Sequence, residues 1–238
     1  MTAHFKEEQP VMSQPSFIDK FSQQFSLEPS RTALLIIDMQ NATGNREMGL
    51  GKLLAEQGNI ESAQYRFDRI ENLLIPNIQR LIAGFRDAGA HIIWITYGAN
   101  AADASDAPRH IAPIIKATNN IAGQPEHEVV DALKPGASDL VLNKTTQGAF
   151  RSTALDSSLR ALGVDTVVST GVSTNNCVAM TSMEACDLQY QVIVTSDATG
   201  TDSEEMQEAT LTLLRRLWAR VLTTAEVLTE ISSGGRSS

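Results

Sequence analysis

Cysteine is scarce in this sequence, and the scarcity limits what its thiols can do. The 238 residues include two cysteines, Cys177 and Cys186. If both lie on one helix, nine residues separate them, which is about 13 Å along the axis, whereas the Cα atoms of a disulfide lie within about 7 Å. They also lack the CxxC spacing of a metal pair. One thiol is therefore expected to face a site, and the other, Cys186, to pack inside the protein.

Long apolar runs and basic runs are also absent. No stretch approaches the roughly 20 apolar residues that cross a bilayer, and the N-terminal residues lack the charged and apolar regions of a secretion signal. Lys and Arg number 19 against 28 Asp and Glu, a formal net charge of −9, which argues against a nucleic-acid surface. These absences predict a cytoplasmic protein whose partners are neither membranes nor nucleic acids.

Apolar runs of strand length alternate with helical patterns along the chain. The predicted strands cover residues 32–38, 91–96, 139–143, 166–170, 191–195 and 220–223. The predicted helices cover residues 67–88, 126–133, 152–162, 177–188, 202–218 and 225–231. This alternation indicates an α/β fold: a doubly wound, mostly parallel six-stranded sheet with helices on both faces. No GxGxxG follows the first strand and no GxxxxGK[ST] occurs, so the fingerprints of dinucleotide and P-loop sites are missing.

The remaining segments are polar or irregular. The chain divides into an N-terminal arm of residues 1–30, a domain of residues 31–232 and a polar tail of residues 233–238. Residues 41–64 are predicted to be a long loop, and residues 97–124 a long irregular segment with a turn or two of helix near 111–118. Loops of this length are often functional lids. Pro76 is expected to kink the helix at 67–88 or to mark a false start.

Residues 166–188 carry the thiol that the rest of the chain is organised around. A β-branched run at 166–170 is ended by Gly171, a polar turn at 173–176 follows, and apolar residues at helical spacing begin at Cys177. A thiol on the first helical turn meets unpaired N–H groups and the positive end of the helix dipole. Both favour a thiolate and can hold an oxyanion. The alternative is a small, buried and unreactive side chain.

Three reactive side chains follow predicted strands: Asp38, Lys144 and Cys177. Ligands of an open doubly wound sheet bind beyond the carboxyl ends of its strands, so we expect these side chains to meet there. Taken singly, an Asp after a strand is often a turn former and a Lys is usually solvated. Together they supply a nucleophile, a proton carrier and a cation, which are the groups needed for acyl transfer through a thioester.

Three motifs around these side chains resemble those of the isochorismatase-like cysteine hydrolases. The motifs are LLIIDMQN at residues 34–41, VLNKTTQGAF at 141–150 and TGVSTNNCVAMTSMEA at 170–185. This family includes nicotinamidases and the N-carbamoylsarcosine, biuret and ureidoacrylate amidohydrolases. The resemblance implies a catalytic triad of Asp38, Lys144 and Cys177. It also implies a cis peptide bond at Val172–Ser173 and an oxyanion hole made by the backbone N–H groups of Ser173 and Cys177.

The chain departs from the metal-binding branch of that family. Nicotinamidases carry an Asp-x-His pair after the second strand, whereas this chain reads TYGANAADASDAPRH there, with Asp103 and His110 but no such pair. We therefore predict no metal and no cofactor. True isochorismate hydrolases lack the cysteine, so Cys177 argues against vinyl-ether hydrolysis.

Four residues flank the predicted triad and are candidates for the substrate pocket: Gln40, Tyr97, Gln147 and Phe150. Trp94 lies within a strand and is predicted to be a core residue. Side-chain amides suit a substrate rich in carbonyl and N–H groups, such as a ureide.

The predicted function is hydrolysis of a linear, non-peptide C–N bond in a small amide, carbamoyl or ureide compound, with release of ammonia or an amine. The alternatives are vinyl-ether hydrolysis without covalent catalysis and a non-catalytic protein on the same fold. A homo-oligomer, a dimer or a tetramer, is also expected.

Overall fold

An entirely parallel, six-stranded sheet lies at the centre of the computed structural model, which describes residues 19–234. The strands are β1 (Thr32–Ile37), β2 (His91–Tyr97), β3 (Leu140–Lys144), β4 (Thr166–Val172), β5 (Gln191–Gly200) and β6 (Arg220–Leu222). Their order is β3-β2-β1-β4-β5-β6. The chain builds outward from β1 in one direction and then returns to begin the other half at β4, so the predicted doubly wound sheet is confirmed. The crevice beyond β1 and β4 is the switch point where such sheets bind ligands.

Helices cover both faces of the sheet. They are α1 (Asn41–Gly44), α2 (Gly49–Glu56), α3 (Gln64–Arg69), α4 (Ile75–Asp87), α5 (Ala112–Ala117), α6 (Leu155–Ala161), α7 (Ala179–Asp187), α8 (Glu204–Arg215) and α9 (Thr224–Gly234). Short 3₁₀ turns occur at Asp19–Phe21, Pro29–Arg31, Ile60–Ala63, Pro125–His127 and Asp131–Leu133. Two π turns, Ile70–Leu74 and Thr174–Val178, lead into α4 and α7.

Alternate residues of the central strands enter two separate cores. Leu34 and Ile36 of β1 pack with apolar residues of α4 and α9, whereas Leu35 and Ile37 pack with those of α6, α7 and α8. Every residue of β1 is buried, as expected for a parallel strand covered on both faces. Trp94 is buried as predicted, and its Nε1 donates to Asp139 Oδ2 at 2.8 Å. Burial on both faces fixes the strand ends firmly, and the candidate site is built on those ends.

The prediction of a long loop at residues 41–64 is wrong, because most of this segment is helical. It contains α1, α2 and the turn Ile60–Ala63. Three of its four glycines lie inside α1 or α2, and tertiary contacts hold the segment in place. Arg46, which follows α1, donates from Nη2 to Asp68 Oδ1 at 2.6 Å and to Glu71 Oε2 at 3.0 Å. Residues 97–124 are closer to the prediction, with α5 as their one α-helix.

Two helix predictions also need correction. The helix predicted at 67–88 begins at Gln64 and runs through the π turn to Asp87, with Pro76 in the first turn of α4. Proline lacks an amide hydrogen and crowds the carbonyl four residues earlier, so the helix widens before it rather than ending. The helix predicted at 126–133 is two 3₁₀ turns, because the backbone between them pairs with the residues after β1: Val130 N–H donates to Met39 O at 3.0 Å.

Two predicted strand ends are too early by two residues or more. The prediction that Gly171 ends the fourth strand is wrong, since β4 continues to Val172 across a shift in register with β5. Strand β5 likewise continues to Gly200. Gly171 has φ +101°, and a Cβ built there would lie 2.0 Å from Ile37 O. Glycine therefore lets β4 approach the end of β1 closely while the strand continues.

Within residues 19–234, no helix is both long enough and apolar enough to cross a membrane. Residues 1–18 of the predicted arm and residues 235–238 of the predicted tail lie outside the described part of the chain.

Replacing Gly171 by alanine should destabilise the protein more than the same change at Gly163. Both residues have a positive φ, but nothing lies within 4 Å of a Cβ at Gly163. We expect Gly163→Ala to cost about 1–2 kcal/mol from backbone conformation alone and Gly171→Ala at least about 3 kcal/mol, because a backbone clash is added. Urea unfolding of both variants measures the difference, and equal losses would contradict the close approach of β4 to β1.

Candidate active site

The ends of β1, β3 and β4 bring three predicted side chains into one region. Lys144 is the last residue of β3, and its Nζ donates to Asp38 Oδ2 at 2.9 Å. Lys144 is fully buried and Asp38 is 4% exposed. Cys177 is 7% exposed, lies in the π turn after β4 and lines the same cavity as Asp38. Strand β2 lies between β1 and β3, so the lysine side chain crosses the end of β2 to reach the carboxylate.

Asp38 has an unusual backbone. Its φ is +54°, a region that few non-glycine residues occupy. Its N–H donates to Ile95 O at 2.8 Å, and its carbonyl accepts from Gln40 N–H at 2.8 Å. Such conformations persist where surrounding contacts enforce them, and they concentrate at functional sites.

Gln40 supports the site from outside the cavity. Its Oε1 accepts from Tyr97 N–H at 2.7 Å, and its Nε2 donates to His127 O at 2.6 Å and to Asn120 Oδ1 at 3.3 Å. The residue is 1% exposed and does not line the cavity. Its amide is fully used in joining the end of β2 to the segments that hold Asn120 and His127.

The cavity at the strand ends has a volume of about 130 Å³. One side is polar, with Asp38, Cys177 and Asn176 among its residues. The other side is apolar and comes from α5 and the residue before it: Ile111, Ile114 and Ile115. A larger depression of about 390 Å³ lies beside β6, but none of the candidate triad lines it. We assign the site to the smaller cavity because the reactive groups face it.

The structure separates the four predicted pocket residues into two pairs. Tyr97 and Gln147 line the cavity. Gln40 and Phe150 do not line it. The amide of Gln40 is bonded inside the protein, and the ring of Phe150 packs against Tyr190, with centroids 5.7 Å apart. The sequence predicts a turn or two of helix near residues 111–118, and α5 lies there. The sequence-based prediction did not assign these residues to the cavity, because their pattern does not show which part of the sheet they cover.

The turn between β4 and α7 shapes the backbone around the thiol. The Val172–Ser173 peptide bond is cis, as the resemblance implies. Ser173 O accepts from Asn176 N–H at 3.0 Å and from Val178 N–H at 3.2 Å, which closes the π turn around Cys177. Thr174 Oγ1 donates to Gln207 Oε1 at 2.7 Å and so fixes this turn to α8. The thiol therefore lies in the first turn of a helical segment that the rest of the protein holds rigidly.

Burial and charge set the protonation of the three groups. Burial raises the pKa of the Cys177 thiol to about 12, with a further rise from Asp38 and an opposing effect of Lys144. Lys144 thus acts on the thiol in the expected direction, while burial and Asp38 act against the predicted thiolate, which stays a prediction. Burial also raises the pKa of Asp38, against the lowering effect of Lys144. Burial lowers the pKa of Lys144, but Asp38 and Cys177 outweigh it, so the pKa is raised and the ammonium stays charged.

Tyr97 covers the lysine from the cavity side. Lys144 Nζ lies 4.1 Å from the centroid of the Tyr97 ring, a cation–π contact. The Tyr97 hydroxyl is buried and has no hydrogen-bond partner among residues 19–234. Burial and the nearby Cys177 and Asp38 raise the pKa of this phenol, so it remains a neutral donor.

Arg66 of α3 is a cavity residue that the sequence-based prediction missed. The residue is 5% exposed, and its Nε donates to Thr43 O at 3.0 Å. Its Nη1 donates to Ser173 Oγ at 2.8 Å and to Asp202 Oδ1 at 3.0 Å. It precedes the predicted helix and belongs to none of the three motifs, so no sequence signal pointed to it.

Within the described part of the chain, no three His, Cys, Asp or Glu side chains group closely enough to hold a metal ion. Asp103 Oδ1 accepts from Ser105 N–H at 3.0 Å, and His110 is exposed. The second thiol, Cys186, is half-buried; it lies outside the cavity, and its Sγ donates to Trp218 O at 2.7 Å.

A family model and several known proteins match most of this chain. The family model described as "Isochorismatase domain" matches residues 32–226. The ureidoacrylate amidohydrolase RutB of Variovorax paradoxus (strain S110) is 30% identical over 204 residues, covering 80% of this chain and 77% of that protein. RutB of Serratia proteamaculans (strain 568) is 31% identical over 185 residues, covering 72% and 70%.

Solved structures resemble the chain over most of its length. A cysteine hydrolase from Pseudomonas syringae pv. phaseolicola 1448A superposes with a TM-score of 0.73 at 27% identity, covering 94% of this chain and 100% of that one. An N-carbamoylsarcosine amidase from Thermoplasma acidophilum gives a TM-score of 0.61 at 26% identity, covering 82% and 96%.

The resting thiol should stay protonated across the neutral range. The measurement is thiolate absorbance of Cys186→Ala, from which the absorbance of the variant lacking both cysteines, Cys177→Ala/Cys186→Ala, is subtracted. The difference should show no step between about pH 6 and pH 10, because the pKa of Cys177 is about 12. Asp38→Asn removes a negative charge that raises this pKa, so the step should move to lower pH by about one unit or more. A wild-type step near neutral pH, or no shift in the variant, would contradict this view of the site.

Proposed function

The chain belongs to the isochorismatase-like hydrolase family, and on that premise we propose that it is a cysteine-dependent amidohydrolase of a small linear amide, carbamoyl or ureide compound. The observation that carries the proposal is the buried Lys144–Asp38 ion pair at the strand ends, where Asp38 and Cys177 line one cavity. Buried ion pairs are costly to desolvate and are weak evidence for stability. A pair placed next to a nucleophile is better explained by proton transfer.

The first half of the proposed reaction forms a thioester. The sulfur of Cys177 attacks the substrate carbonyl while its proton passes to Asp38. Burial prepares both groups for this transfer, because it disfavours a free thiolate and raises the proton affinity of the carboxylate. Lys144 stays charged beside them and balances the negative charge that moves between sulfur and carboxylate.

The second half releases the products. Asp38 returns the proton to the departing ammonia or amine as the C–N bond breaks. A water molecule then attacks the thioester, and Asp38 takes its proton and passes it to the sulfur of Cys177 as the C–S bond breaks. We propose that the backbone N–H groups of Ser173 and Cys177 hold the carbonyl oxygen in both halves. The π turn around Cys177 and its bond to α8 keep these groups fixed, which is the preorganisation that such donors require.

Cavity size and lining favour a small polar substrate. The space of about 130 Å³ is small beside the roughly 300–1,000 Å³ of most ligand pockets. Gln147 and Asn176 add side-chain amides to its wall, and these can pair with the carbonyl and N–H groups of a carbamoyl unit. The names of the relatives, ureidoacrylate amidohydrolase and N-carbamoylsarcosine amidase, denote enzymes for compounds of this kind. A cytoplasmic location and a homo-oligomeric state remain predictions from the sequence.

Removing the thiol of Cys177 should abolish turnover. We expect Cys177→Ala and Cys177→Ser to lower ammonia release from a panel of carbamoyl amino acids and primary amides by at least about 1,000-fold, since the nucleophile is lost. The matched control is Cys186→Ala, which removes the thiol outside the cavity and should stay within about twofold of wild type.

Intact mass spectrometry after rapid acid quench should show an acyl adduct on the wild-type chain and none on Cys177→Ala. Equal activity of all three cysteine variants would refute the covalent mechanism. Turnover of a vinyl ether by Cys177→Ala at the wild-type rate would favour ether hydrolysis instead.

A further inference from the structure

Arg66 places a guanidinium group at the cavity in addition to the lysine of the ion pair. Lys144 is matched by Asp38 at 2.9 Å. Within residues 19–234, the guanidinium of Arg66 has one carboxylate contact, Asp202 at 3.0 Å. The Asp202 side chain is 68% exposed, whereas that of Arg66 is 6% exposed. Ion pairs with a solvent-exposed partner contribute little and exchange readily. The carboxylate of Asp202 can therefore leave the Arg66 guanidinium when another anion takes its place.

The remaining donors of Arg66 are available to a ligand. Its contacts use Nε and Nη1, on Thr43 O, Ser173 Oγ and Asp202 Oδ1. Nη2 makes no hydrogen bond to residues 19–234, and it is not among the fully buried atoms without a partner. The side chain lines the cavity, and Nη2 is the guanidinium nitrogen that its contacts within the described part of the chain leave unused.

We propose that Arg66 binds a carboxylate of the substrate, so that the enzyme selects anionic amides or ureides; this rests on the function proposed above. A carboxylate that takes the place of Asp202 can accept hydrogen bonds from Nη1 and Nη2 together, in the bidentate geometry that guanidinium favours. The apolar wall of α5 covers the carbon chain between the carboxylate and the reacting carbonyl at Cys177. Arg66 also holds Ser173, whose backbone N–H we assign to the oxyanion, so it reaches both ends of the substrate.

The experiment compares two probes that differ in charge, N-carbamoyl-β-alanine and its methyl ester, by ammonia release. Wild type should show a kcat/KM for the acid higher than that for the ester by about 10- to 100-fold, the worth of a charge-assisted hydrogen bond. Arg66→Gln should collapse this ratio to near one, mainly through KM for the acid, and Arg66→Lys should restore part of it. Asp202→Asn, which removes the competing carboxylate, should lower KM for the acid and leave the ester unaffected.

The matched control is Arg109→Gln, which removes the same charge from an exposed arginine that does not line the cavity. Its acid-to-ester ratio should equal that of wild type. Arg66 also donates a hydrogen bond to Ser173, so kcat/KM for the acid and for the ester can both fall in Arg66→Gln. A lost bond to Ser173 lowers both values alike, whereas lost anion binding lowers their ratio. A ratio unchanged in Arg66→Gln, or lowered equally in Arg109→Gln, would overturn the proposal.

Binding to Cys177→Ala provides a readout that needs no turnover. By calorimetry the acid should bind about 10- to 100-fold more tightly than the ester, and this preference should disappear in Cys177→Ala/Arg66→Gln. Equal affinities for acid and ester in Cys177→Ala would overturn the anion site. Absence of an acyl adduct on wild type with the whole panel would instead refute the amidohydrolase, so the two failures are distinct.

Discussion

The buried pair of Lys144 and Asp38 is the contact on which the site depends. It ties the ends of β3 and β1 across the intervening strand β2, so it forms only if the sheet has its observed order. Removing either partner would leave an uncompensated charge in the interior, which typically costs about 3–5 kcal/mol. The same contact holds a carboxylate beside the thiol of Cys177 and keeps a positive charge within reach of both. Fold and chemistry are therefore linked through one short contact between two strand ends.

The fold was predictable where local pattern and burial agree. Strand β1 is a continuous apolar run buried on both faces, and the alternation of such runs with helical patterns identified the parallel sheet. The positions of Asp38, Lys144 and Cys177 at strand ends then followed from the geometry of parallel sheets. The residues after β1 were not predictable in this way. Their helices are held by distant contacts such as those of Arg46, which leave no periodic signal in the sequence.

The site was harder to predict than the fold, because side-chain environment decides its chemistry. A helix N-terminus and a nearby lysine suggest a thiolate, yet burial and Asp38 raise the pKa of Cys177 against them. Gln40 looked like a pocket residue because it follows Asp38, but its amide is used inside the protein. Arg66 had no motif to mark it. These outcomes depend on which neighbours the fold supplies, and single-sequence patterns do not record them.

The position of Tyr97 has a consequence for the lysine beneath it. An unprotonated amine next to a thioester would itself accept the acyl group. The resulting amide bond on the lysine would inactivate the enzyme after one turnover. The Tyr97 ring, 4.1 Å from Nζ, and the carboxylate of Asp38 enclose Lys144 and favour its protonated form. The lysine thus contributes charge without becoming a competing nucleophile. For the reaction proposed here, the Tyr97 ring thus protects Lys144 from acylation by the thioester on Cys177.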